Sequence, residues 1–166
     1  MFLVRIADRM TRLLMILGAI WAFVLCFFIL ADIIFRALNL PVSGTKEIVA
    51  NSVVIIVFMQ VGFAVRSGSM LRADFLVMLL PKQAQKLLLI FAYLLGAALF
   101  LFLLKAGITP ALRSFANGEF DGEGAMKVAV WPARFAILVG AGMAGFNYIL
   151  LTLVEIFDLR IERMDL

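Results

Sequence analysis

Few side chains inside this chain's long apolar runs could bind a ligand, bridge helices or carry charge. Asp32 and Arg36 stand at the end of the first run, four residues apart and acid first. That order is the favourable one for a pair on a helix face. Two arrangements fit. Either the two neutralise each other, with Arg36 reaching to the membrane surface, or Arg36 meets a carboxylate on a neighbouring helix, Glu47 being one choice. Asn51, Gln60 and Asn147 are uncharged polar residues within later runs. Side chains of this kind commonly bond helix to helix in a bilayer, for about 1 kcal/mol each. Gly140 with Ala144, and Ala141 with Gly145, are small residues four apart. Such pairs let another helix approach closely, whether from this chain or from a partner subunit.

Other chemistry is excluded by what is missing. The chain has no His and one Cys, Cys26, in the middle of an apolar run. One Cys cannot run dithiol chemistry, and without His there is no bis-histidine haem and no imidazole base. No Asp, Glu, Lys or Arg falls in the middle of a charge-free run. A charge there would read as functional, because it is costly in lipid. The acidic, Gly-rich stretch Glu119–Gly124 lacks the ligand spacing of a calcium loop and reads as a solvated turn. The sequence therefore offers no catalytic, cofactor or metal site of its own, and the chain is not expected to be an enzyme.

Composition states what these residues sit in. Of 166 residues, 65% are hydrophobic and 16% charged. A soluble domain is near half apolar and a quarter charged, and a domain of this size has too much surface to hide the excess. The net charge of +4 is carried by basic residues placed singly at the ends of apolar runs. That is the pattern of membrane anchoring, not of a nucleic-acid surface.

Four charge-free runs mark the spans: Leu13–Ala31, Ile48–Val65, Leu87–Leu104 and Phe135–Val154. Each crosses a hydrocarbon core once its flanks are added, since about 20 apolar residues suffice. None alternates as a barrel strand would. The fold class is therefore an all-α integral membrane protein. Its four transmembrane helices fall at approximately 13–36, 47–66, 86–105 and 132–156 of one membrane domain over 1–166. The first run is expected to be a retained helix, not a signal peptide, given its length and the three spans that follow. Nine Lys and Arg lie on the side of the termini and the second connection, and six on the other. The positive-inside rule then places both termini in the cytoplasm. Within the second connection, Leu71, Phe75, Met78 and Leu79 recur at helical spacing before Pro81, which predicts a short cytoplasmic helix in the interface. The third connection, Lys105–Val130, is the longest, with Pro110 and Asn117-Gly118 as turn residues.

The order of small motifs resembles a known family. Phe35-Arg36 and Pro41 end the first span and its turn, and Glu47 opens the second. Gly62-Phe63-Ala64-Val65-Arg66-Ser67-Gly68 closes the second span, followed by Leu71-Arg72-Ala73-Asp74, Leu80-Pro81 and, later, Trp131-Pro132. This series, from about Leu13 to Leu153, resembles the small membrane subunit of tripartite ATP-independent periplasmic (TRAP) transporters. The resemblance implies a supporting subunit of a secondary transporter. It also implies a stable complex with a large sodium-coupled permease and transient contact with a periplasmic binding protein that delivers organic anions. The location implied is the cytoplasmic (inner) membrane of a bacterium or archaeon. It marks Arg36, Glu47, Arg66, Arg72 and Asp74 as partner or structural residues, beside Gln60, Gly140, Gly145 and Asn147. Cofactors are expected to be none, with sodium coupling in the partner subunit. The rival readings are an autonomous four-helix transporter, for which Asp32 is the only weak intramembrane acid, and a membrane assembly factor.

Overall fold

A computed structural model describes residues 2–40, 43–68, 81–122 and 127–157. Among the described residues, four helices are long and apolar enough to cross a membrane. They are α1 (Phe2–Ala37), α2 (Thr45–Ser67), α3 (Lys82–Ala116) and α4 (Trp131–Ile156). Their neighbour order is α1–α2–α4–α3: α4 packs along both α2 and α3, α2 packs on α1, and α1 touches α4 only lightly.

Local chemistry sets the helix ends. Asn39 (φ 60) lets the chain leave α1, and Gly68 (φ 70) ends α2 in the left-handed conformation that a residue with a Cβ resists. Pro132 stands in the first turn of α4, where its missing N–H costs nothing. Burial follows a narrow stripe on α1, through Ala7, Thr11, Leu25 and Asp32, leaving most of that helix open. α4 is the most enclosed helix, with Gly140, Ala141, Ala144, Gly145 and Asn147 all buried.

The third helix runs well beyond the expected span. The sequence places it at 86–105 and reads Pro110 as part of a loop. Instead α3 runs unbroken for 35 residues through Lys105 and Pro110 to Ala116. Ala111 and Ser114, beyond the proline, are fully buried, and Arg134 Nη1 of α4 donates to the Pro110 carbonyl at 3.0 Å. This packing offsets the lost helical bond at Pro110. The connection between α3 and α4 shortens accordingly. Part of it forms a two-stranded antiparallel ribbon, β1 (Phe120–Asp121) with β2 (Val128–Ala129), where a solvated turn was expected. The predicted interfacial helix lies outside the described residues, as do Arg72 and Asp74.

Candidate functional site

Polar contacts between helices gather at two levels. At one, Arg66 Nε donates to Asp8 Oδ1 at 2.8 Å, joining the end of α2 to the start of α1. The Arg66 side chain is 3% exposed and that of Asp8 28%. One turn inward on α1, Asn147 Nδ2 of α4 donates to Thr11 Oγ1 (3.2 Å) and to the Gly62 carbonyl of α2 (3.0 Å). Asn147 is fully buried and Thr11 nearly so. Three helices therefore share one amide. Two buried atoms at this level, Arg66 Nη2 and Asn147 Oδ1, have no hydrogen-bond partner.

The other level holds Asp32. Arg36 Nη2 donates to its Oδ2 at 2.8 Å, and Thr45 Oγ1 of α2 donates to its Oδ1 at 3.0 Å. Asp32 is buried while the Arg36 side chain is 56% exposed, so one face of the guanidinium stays open. Glu47, two residues beyond Thr45, is half-buried, and its backbone carbonyl accepts from Asn51 Nδ2 at 3.0 Å. Among the described residues no ion pair joins Arg36 to Glu47. Asp8 and Asp32 are 24 residues apart on α1, about 36 Å at 1.5 Å per residue. The two levels therefore bracket a hydrocarbon core of about 30 Å. A third brace closes the connected end of α3 and α4, where Arg134 bonds Glu119 Oε1 at 2.8 Å as well as Pro110. Phe115, Trp131 and Phe135 meet edge to face beside it.

The small residues face helices of this chain. A Cβ on Gly140 would lie 2.6 Å from the Phe58 carbonyl carbon, so α2 and α4 meet backbone to backbone there. A Cβ on Gly145 would make ordinary contact with Phe100 and Leu101 of α3, at 3.5 and 3.6 Å. Gln60 lies over Gly18 of α1, its Cγ 3.1 Å from where a Cβ would be. Cys26 is exposed on α1. Among the described residues no group of His, Cys, Asp or Glu is placed to hold a metal.

The geometry thus joins Arg66 and Asn147 into one brace and sets Arg36 and Glu47 at the opposite end. Gly140 and Gln60 line the interfaces of α2. Sequence reading did not single out Thr11 or Asp8. Asp8 had a signal: it is the one acid among Arg5, Arg9 and Arg12, which suits a partner with a buried cation. A family model described as the DctQ component of tripartite ATP-independent periplasmic transporters matches residues 25–158. No curated protein and no solved structure matches the chain.

Proposed function

The chain belongs to the DctQ family, the small membrane component of TRAP transporters, and we propose that it is the fixed support of such a transporter and not its carrier. In this reading it stays bound to a large membrane subunit that moves organic anions, carboxylates, with sodium. A periplasmic binding protein delivers the substrate, and the complex sits in a cytoplasmic membrane with both termini of this chain inside. The nine-to-six distribution of basic residues supports that orientation.

One observation carries the supporting role. Buried polar side chains at both levels join helix to helix: Arg66 to Asp8, Asn147 to Thr11 and Gly62, Asp32 to Thr45. A transporter's substrate site commonly uses broken helices whose free ends face the ligand. Here each of the four spans is continuous. Such a unit is suited to staying still while a neighbour moves.

Reconstitution tests it. Liposomes holding this chain alone should show no sodium-driven uptake of carboxylates, and those holding it with the large subunit and binding protein should. Uptake by the chain alone would sink the reading. Reporter fusions at each terminus test the orientation, where a periplasmic signal from either end of a functional protein would refute it.

A further inference from the structure

Arg5, Arg9 and Arg12 stand four and three residues apart at the start of α1, so they share one face of that helix. All three are exposed. Ile16, Ile20 and Phe23 continue the same face at helical spacing, and they too are exposed. The buried stripe of α1, through Ala7, Thr11 and Leu25, lies on the other side and meets the neighbouring helices.

Depth along α1 separates the two kinds of residue. Asp8 and Asp32 bracket the hydrocarbon, and Ile20 is midway between them. A core of about 30 Å centred there reaches about ten residues to each side, at 1.5 Å per residue. Its edge falls near Met10, between Arg9 and Arg12. The three arginines therefore lie at the depth of lipid headgroups, with Arg12 reaching outward from just inside the edge. Ile16, Ile20 and Phe23 run from the same leaflet's acyl chains to the midplane.

Like charges at these spacings repel along a helix. Among the described residues, none forms an ion pair with Arg5, Arg9 or Arg12. Asp8 stands between them, but its Oδ1 already accepts from the buried Arg66. Arg5, Asp8, Arg9 and Arg12 line an open groove of about 460 Å³, within the size range of small-ligand clefts. With Asp8 neutralised by Arg66, that groove keeps the charge of three arginines. A soluble acidic loop would satisfy the arginines but not the apolar stripe beneath them. A lipid matches both, with its anion at headgroup depth and its chains below. We propose that this face of α1 holds one anionic phospholipid, its phosphate among Arg5, Arg9 and Arg12 and an acyl chain along Ile16, Ile20 and Phe23. The inference needs α1 to span the membrane and uses nothing of the transported substrate.

The test titrates the purified full chain, in a neutral detergent, with dioleoylphosphatidylglycerol or dioleoylphosphatidylcholine and counts bound lipids by native mass spectrometry. One phosphatidylglycerol should be retained at a concentration at least tenfold lower than phosphatidylcholine needs. Arg9→Gln and Arg12→Gln should each weaken that retention about fivefold. Neither should change the melting temperature, since both side chains are exposed and pair with nothing described. Lys82→Gln makes the same change of charge at the start of α3 and should leave retention as it was. Inorganic phosphate should not displace the lipid, because it has no chain to lay on Ile16 and Phe23. Displacement by phosphate would show an anion site without a lipid. Equal retention of the two lipids, or an equal loss in Lys82→Gln, would reduce the arginines to general surface charge and overturn the site. Loss of the bound phosphatidylglycerol when a large membrane subunit is added would give this face to that subunit and overturn it likewise.

Discussion

Arg66 and Asp8 make a pair whose two halves sit in different solvents, and that difference makes their removal unequal. Asp8→Asn leaves a guanidinium that is 3% exposed without its counter-charge. Stranding a buried charge costs about 3–5 kcal/mol. Arg66→Leu leaves an acid that is 28% exposed and can rehydrate, so the loss should be smaller, about 1–2 kcal/mol. Melting of the purified chain in detergent should rank wild type above Arg66→Leu above Asp8→Asn. The reverse order for the two variants would mean that Arg66 is hydrated in the folded state. Arg36→Ala belongs at the mild end, below about 1 kcal/mol, because the guanidinium is more than half exposed and Asp32 keeps its bond to Thr45. At this scale the sequence was a partial guide. Asn147 reads as an interhelical bond from its type and place, and that is its position. Arg66 reads as a helix-end cation, but its partner lies 58 residues away on another helix. Pairing at that distance is set by which helices become neighbours, and residue type does not carry it. Thr11 was not legible for the same reason: a hydroxyl near a helix start is ordinary until an amide from α4 arrives beside it.

Between helices, distance is set by the smallest residue at each crossing. Gly140 and Gly145 look alike in sequence, both in small pairs on α4. They differ in what they touch. A methyl at Gly140 would collide with the Phe58 backbone, which cannot swing aside as a side chain does. A methyl at Gly145 would make ordinary contact with Phe100 and Leu101. Gly140→Ala should therefore lower the folded fraction severely, by about 3 kcal/mol or more as overpacking goes. Gly145→Ala should be tolerated and Gly145→Leu should not. Equal effects of the two alanine substitutions, read by detergent melting, would remove the close crossing of α2 and α4. The four elements themselves were legible, because charge-free runs of span length leave little choice in a bilayer. The end of α3 was not. Lys105 and Pro110 are ordinary stop signals, yet the helix continues because Ala111 and Ser114 pack and Arg134 bonds the proline's carbonyl. Tertiary contacts overrode the local signal, and no window of sequence contains both partners. The β1–β2 ribbon escaped for a related reason, with two residues per strand too short to show alternation.

Across the whole molecule, the neighbour order α1–α2–α4–α3 makes the two edge helices unequal. α3 lies along α4 for most of its length. Tyr148 stacks on Phe100 at 5.8 Å between ring centres, its ring lies over Gly96, and the connected end is closed by Arg134 on Pro110 and Glu119. α1 is held to the rest through a narrow stripe on α2 and through the hydrogen bond from Asn147 of α4 to Thr11. Helices in lipid gain little from the hydrophobic effect on each other, so packing and these few bonds are what hold them together. The least-held helix should come away first. Local opening in proteins follows this rule, with the least-packed unit at the low end of stability. Pulling one molecule from a lipid disc by its N-terminus should therefore release α1 as a separate first step at low force. Asn147→Leu should lower that step, since it removes both bonds of the shared amide and strands the Thr11 hydroxyl. It should leave the later α3–α4 rupture unchanged. Asp8→Asn should act on the same first step, because the Arg66 pair spans the same two helices. Pulling from the C-terminus loads α4, which packs along both α2 and α3, so its first rupture should need higher force than the release of α1. A C-terminal rupture at equal or lower force would show that α1 is held as firmly as the central helix, and that the braces of α1 contribute more than their number suggests.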